Sequence, residues 1–133
     1  MTIYVLCGLP ASGKTTYSEE LAIQHEAKLF HYDNYHGNKK HLLHEQIKKE
    51  LSLNNVVLDG LFVVRVWREE LLEVLKDVEC EKILVKMNTS PEECIERNKE
   101  RERPLNEAVI RHLQKRYQEP TLDEGWNEII DKE

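Results

Sequence analysis

Residues 5–21 read VLCGLPASGKTTYSEEL. An apolar run from Val5 to Cys7 meets a loop bounded by Gly8 and Gly13, and a helix-forming stretch opens at Lys14. The loop Gly8-Leu9-Pro10-Ala11-Ser12-Gly13-Lys14-Thr15, with Thr16 behind it, satisfies G-x-x-x-x-G-K-[ST]. Glycines let the backbone turn tightly enough for successive N–H groups to face inward, and the following helix points its positive end at the same spot. Lys14 adds a point charge for the β- and γ-phosphates, and Thr15 offers Mg²⁺ a hydroxyl. Four fixed positions match by chance in roughly one chain of this length in 200. A match placed between a strand and a helix is rarer still. The expected ligands are ATP and Mg²⁺.

Working outward, "TIYVLC" (2–7) suits a strand buried on both faces, the habit of parallel sheets. A helix should run from Lys14 to about Glu26 with Tyr17, Leu21 and Ala22 inward. "KLFHYD" (28–33) predicts a second strand, and Leu43, Ile47 and Leu51 mark a helix face after it. "NVVLDG" (55–60) predicts the third strand and "EKILVKM" (81–87) the fourth. Between them Val64, Trp67, Leu71, Val74 or Leu75, and Val78 keep helical spacing, with Trp67 in the core. Ser90, Pro91 and Glu93 form a helix-start signature, and Pro104 ends that helix. Asn106 caps another, whose stripe is Val109, Leu113 and Tyr117 and which Pro120 stops. Trp126 to Ile130 predicts an edge strand. Strand and helix alternate throughout, so the expectation is a parallel sheet with helices on both faces, in one domain over 1–133.

Composition narrows the function. The 133 residues hold 19 Lys+Arg against 25 Asp+Glu, a net charge of −6, which opposes an extended nucleic-acid surface. Three scattered cysteines without metal spacing suit buried free thiols in a reducing compartment. No apolar run approaches the length of a membrane span and no export signal is visible, so a cytoplasmic location is expected.

Two carboxylates stand at the carboxyl ends of predicted strands, Asp33 and Asp59, the edge where open parallel sheets bind ligands. One there can take a hydroxyl proton, and another can hold Mg²⁺ through water. A GTPase would need Asn-Lys-x-Asp on a late strand, whereas the Asn-Lys here lies in "RNKERER" (97–103), inside a helix. Arg97 and Arg101, four apart, would share one helix face and can neutralise charge on a transferred phosphoryl group.

These parts resemble the P-loop kinases of the polynucleotide 5′-hydroxyl kinase type and their small zeta-toxin- and adenylate-kinase-like relatives. The resemblance covers nearly the whole chain: the loop, "HYDNYH", "VVLDG", "PEECIERNKER" and "RYQEPTLDEGWNEI". It implies a P-loop NTPase fold, three-layer α/β/α with a five-stranded parallel sheet, the loop strand central, and a helical lid at about 91–117. It also implies Asp33 as general base, Arg101 on the transferred phosphate and Arg97 near the nucleotide. Where the polynucleotide enzymes carry an arginine three residues after the base, this chain has His36, and Gly60, Leu61 and Phe62 follow Asp59 in place of small polar residues.

Acceptor signals are diffuse. Lys39, Lys40, Lys48 and Lys49 against Glu45 and Glu50 either overlook an acceptor carrying phosphate, with Arg65 and Arg68 adding to them, or form a solvated face. His36, Asp59 and Arg68 are the candidate acceptor contacts. His41 and His44 lack a third metal ligand, and Tyr32 and Tyr35 flank Asp33. The expected activity is phosphoryl transfer from ATP to a hydroxyl of a small molecule (nucleoside, nucleotide, sugar or other metabolite) or of a short oligonucleotide 5′ end, with Lys14, Asp33 and Arg101 catalytic. A non-catalytic ATP-binding switch or partner subunit, and a nucleic-acid-binding module, are the alternatives.

Overall fold

The computed structural model describes residues 1–35 and 37–133, leaving out the Asn34 side chain. Five strands, β1 (Thr2–Cys7), β2 (Lys28–His31), β3 (Val56–Asp59), β4 (Glu81–Met87) and β5 (Glu128–Lys132), alternate with helices along the chain. The helices are α1 (Lys14–Gln24), α2 (Asn38–Leu51), α3 (Arg65–Leu75), α4 (Pro91–Lys99) and α5 (Glu107–Arg116). All strand pairs are parallel and the spatial order is β2-β3-β1-β4-β5, with the loop-bearing strand in the middle.

The two-residue period of β1 sorts its side chains onto opposite faces. Ile3, Val5 and Cys7 pack with Leu43 and Ile47 of α2, Leu71 and Leu75 of α3, Cys94 of α4 and Ile110 of α5. Leu6 points the other way and packs with Val57, Val85 and Leu21 of α1. The architecture is thus three layers, α/β/α. Register brings functional groups to one sheet edge, because Asp59 lies opposite Leu6 on β1 and His31 on β2.

Several boundaries differ from expectation for local reasons. β2 ends at His31, since Tyr32–Asn34 coil into a short 3₁₀ turn that carries Asp33 off the sheet. β5 starts two residues later than predicted, as Trp126 is buried and donates its indole N–H to Glu124 at 3.0 Å. In α5 the buried face is Ile110 and Leu113, and Val109 is exposed. In the turn before it, Asn98 is buried and clasps both backbone groups of Leu105, at 2.7 and 3.0 Å. Ser90 and Asn106 do cap α4 and α5, accepting from Glu93 N–H and Ala108 N–H. Trp67 is only half-buried, with the Arg116 guanidinium 5.1 Å from its ring. Cys7, Cys80 and Cys94 are free thiols, and Cys80 is partly exposed where burial was expected.

Candidate functional site

The loop after β1 is held by backbone inversions. Ala11 has φ +64° and Gly13 φ +94°, a pattern that turns successive N–H groups into one concavity. A Cβ on Gly8 would sit 2.7 Å from Ser12 Oγ and 3.0 Å from Met87 Cβ, so the loop closes there only around glycine. Gly8 N–H donates to Leu61 O at 3.0 Å, and the Thr89 hydroxyl donates to Ser12 O at 2.7 Å, tying the loop to the segments after β3 and β4.

Lys14 is buried and donates to Leu9 O at 3.0 Å. Burial pulls its ammonium down from the ordinary lysine range, while the charges of Asp59 and Asp33 oppose that. Ser12 Oγ is buried without a hydrogen-bond partner. An orphaned hydroxyl beside an inward-facing lysine is what a loop built for an anion presents, and the residues therefore fit a phosphate chain. The Thr15 hydroxyl donates to Asp59 Oδ2 at 3.3 Å, and His31 Nδ1 lies 3.1 Å from the same oxygen. A hydroxyl beside a nearly buried carboxylate is also a donor set of the hard oxygen type that Mg²⁺ takes.

Gly13, Lys14, Thr15 and Thr16 line a cleft of about 470 Å³ together with Arg97 and Arg101. α4 ends at Lys99, so these arginines do not share a helix face as predicted; Arg101 lies past the C-cap, its N–H donating to Asn98 O at 3.2 Å. Both nevertheless border the phosphate cleft. Arg97 Nη1 lies 3.4 Å from the space a Gly13 Cβ would fill. A wider recess of about 550 Å³ continues from Gly13 and Thr16 past Tyr17, Asn88 and Arg97 to Lys132.

Asp33 faces a separate cavity of about 180 Å³ shared with Tyr32, Phe62, Trp67, Lys40 and Glu70. The surrounding protein pushes the Asp33 carboxyl up, and Asp59 adds to that, whereas Lys14, Lys40 and the Leu61 N–H work in the opposite sense. Lys14 thus acts electrostatically on both Asp33 and Asp59.

Arg68 sits elsewhere. It is fully buried, donating through Nε and Nη2 to the Glu124 carboxylate at 2.8 and 2.9 Å, through Nη1 to Phe62 O at 2.7 Å and through Nη2 to Gln118 O at 2.9 Å. With its donors consumed internally, it is withdrawn from the acceptor side where the sequence suggested it. Arg65 likewise pairs outward with Glu69 and Asp123. Of the basic stretch in α2, Lys40 reaches the Asp33 cavity, Lys48 pairs with Glu45, and His44 hydrogen-bonds the Tyr32 hydroxyl at 2.8 Å. No group of three metal-ligating side chains occurs among the described residues, and the expectation for His36 lies outside them. Cys7 donates to Phe62 O at 3.2 Å, and burial pushes its thiol up to about 11, an inert state.

Sequence reasoning missed His31, Glu70 and Glu124. Glu70 follows Trp67 by three residues, a helical spacing that could have flagged a shared wall. Glu124 follows Thr121 by three residues, a capping-box spacing that the structure forms, whereas nothing local marks His31.

A parallel sheet with a glycine-bounded anion loop at its central strand, a buried lysine and a flanking pair of arginines defines a P-loop kinase-like fold. The sequence matches the family described as "Chromatin associated protein KTI12" over residues 1–129, and the chain belongs to that family. It is 25% identical to the Protein KTI12 homolog of Xenopus laevis over 148 residues, covering 96% of this chain and 54% of that protein. The chain therefore spans about half the length of the curated relative it matches. Its fold is similar to the crystal structure of Chaetomium thermophilum Kti12 in complex with ADP-AlF3, with TM-score 0.72, 21% identity, and coverage of 98% of this chain and 88% of that one. A fungal RNA kinase is similar too, with TM-score 0.74, 17% identity, and coverage of 99% of this chain and 38% of that one. Among the described residues no helix is long and apolar enough to cross a membrane.

Proposed function

We propose that this chain binds ATP with Mg²⁺ and transfers the γ-phosphoryl group to a hydroxyl. The carrying observation is the cleft that the loop shares with Arg97 and Arg101, with Asp33 in its own cavity after β2 and the charge of Lys14 acting on it. The loop amides and Lys14 would hold the β- and γ-phosphates, and Arg97 and Arg101 would offset charge spreading over the outer oxygens. Asp33 would take the acceptor's O–H proton as that oxygen bonds to phosphorus and the bond to the β-bridging oxygen breaks, releasing ADP. Thr15, with Asp59 through water, would hold Mg²⁺, which supplies further neutralisation of phosphate charge. The Kti12 relative with ADP-AlF3 lends support, since that ligand pairs ADP with a stand-in for a phosphoryl group in flight. A cytoplasmic location suits this reading.

A second reading keeps nucleotide binding without transfer, a switch or partner subunit. It is favoured by the match to about half of a longer relative within a family described as chromatin associated. The two separate on a transfer screen with γ-phosphate-labelled ATP across nucleosides, sugars, small alcohols and 5′-hydroxyl oligonucleotides, with Lys14→Ala as blank. Label on an acceptor supports the kinase. ATP bound with no acceptor labelled supports the switch.

A further inference from the structure

The cavity against Asp33 has a chemistry of its own. Three of its walls are aromatic, Tyr32, Phe62 and Trp67, with the Tyr32 and Phe62 rings 4.9 Å apart. Two carboxylates, Asp33 and Glu70, face it, and among the described lining residues Lys40 is the only cation. Trp67 and Glu70, three apart on α3, present indole and carboxylate on one side of that helix. The Lys40 ammonium already lies 4.5 Å over the Tyr32 ring, so this wall holds a cation by its π face. Burial first, and then the charges of Glu70 and Asp33, push the Tyr32 phenol up to about 12. At about 180 Å³ the cavity is smaller than the roughly 300–1,000 Å³ that encloses drug-sized ligands.

We infer that this cavity selects its occupant for positive charge, and that the acceptor alcohol is a small hydroxylated amine or quaternary ammonium compound. Aromatic faces attract a cation whose water they replace, and a carboxylate on the same wall adds to the attraction without needing a fixed hydrogen-bond angle. Among the described lining residues a phosphorylated acceptor would meet two carboxylates against one ammonium, with the Arg116 guanidinium, 5.1 Å from the Trp67 ring, outside that lining. The acceptor assignment rests on the phosphotransferase reading above; cation binding itself does not. In the transfer, the alcohol oxygen bonds to the γ-phosphorus, its proton passes to Asp33, and the bond to the β-bridging oxygen breaks to leave ADP.

Trp67 reports binding by its own fluorescence, so nucleotide-free protein is titrated with choline, with ethanolamine and with 3,3-dimethylbutan-1-ol, the neutral carbon isostere of choline. At least one of the two amines should bind about tenfold tighter than the neutral alcohol. Trp67→Phe should remove the signal, and Glu70→Gln, an exposed position that leaves the core intact, should weaken amine binding about tenfold. Equal or tighter binding of the neutral alcohol, or no binding of either amine, overturns the inference. Labelled ATP then separates the two readings. Label on the amine supports both, and label on sugars or neutral alcohols alone overturns the charge selection while the kinase stands. Selective amine binding with no label on the amine, in protein shown to bind MgATP, overturns the acceptor assignment, and no label on any acceptor overturns the phosphotransferase reading as well.

Discussion

Arg68→Met tests whether the wall between the phosphate loop and the Asp33 cavity is held from beneath. The guanidinium is fully buried against an equally buried Glu124 side chain, and it also satisfies the carbonyls of Phe62 and Gln118. Phe62 sits at φ +44°, a strained conformation for a residue with a Cβ, so its carbonyl depends on the donors that fix it. Removing one partner of a buried ion pair costs about 3–5 kcal/mol because the other charge is left without compensation. Unfolding entropy of about 2.1 cal/mol/K per residue gives about 0.28 kcal/mol/K for this chain, hence a melting temperature lower by about 11–18 °C. The Trp126 indole and Arg65, 4.0 Å from Glu124, still face the orphaned carboxylate, which places the expected loss toward the lower end. The assay is calorimetry of wild type and variant at pH 7. A drop below about 3 °C would refute the reasoning, since a pair that dry cannot be lost so cheaply.

Acid should act through the same pair. Burial alone would raise the Glu124 carboxyl, but hydrogen bonds from Arg68 and Trp126 outweigh it and hold the group below the ordinary glutamate range. Its stabilisation is then present above the unfolded-state pKa and fades as pH falls through the folded one, so melts from pH 6 to pH 3 should show wild type and Arg68→Met converging. Gly8→Ala forces a Cβ to within 2.7 Å of Ser12 Oγ and should weaken ATP binding about tenfold or more by isothermal titration, with normal affinity arguing against the close approach. Asn98→Ala leaves both backbone groups of Leu105 without their side-chain partners and should speed proteolytic nicking between residues 100 and 106, with nicking at the wild-type rate arguing against that role. In transfer assays the acidic limb should lie above the ordinary aspartate range, because burial and Asp59 raise Asp33 and the base works only when ionised.

Short-range order made the fold legible. The loop, the strands around it and the α4 cap are written within a few residues each, as at Ser90 and Glu93. The apolar run beside Gly8 marked a strand buried on both faces, whereas its central place in the sheet came from the resemblance to the P-loop kinases. What stayed hidden depends on partners far along the chain. Arg68 reads as a surface cation because arginine is seldom fully buried unless paired, and its partner Glu124 lies 56 residues on. His31 and Asp59 are 28 apart and meet only through strand register. In α5 Ile110 is buried where Val109 was expected, and the Asn98–Leu105 clasp before it is a contact no periodicity shows. Asp33 and the arginines could be picked out from the sequence, yet the aromatic wall facing Asp33 forms only once α3 packs beside the 3₁₀ turn that carries Tyr32.

The most direct measurement pairs two numbers on Asp33→Asn: the dissociation constant for MgATP, and the rate of label transfer to whichever acceptor the wild type phosphorylates. A positioned base contributes about 10²–10⁴-fold. Affinity within about threefold of wild type, with transfer reduced by that factor, is the predicted result. Transfer at the wild-type rate would contradict the assignment of position 33 and, with it, the mechanism built on that residue.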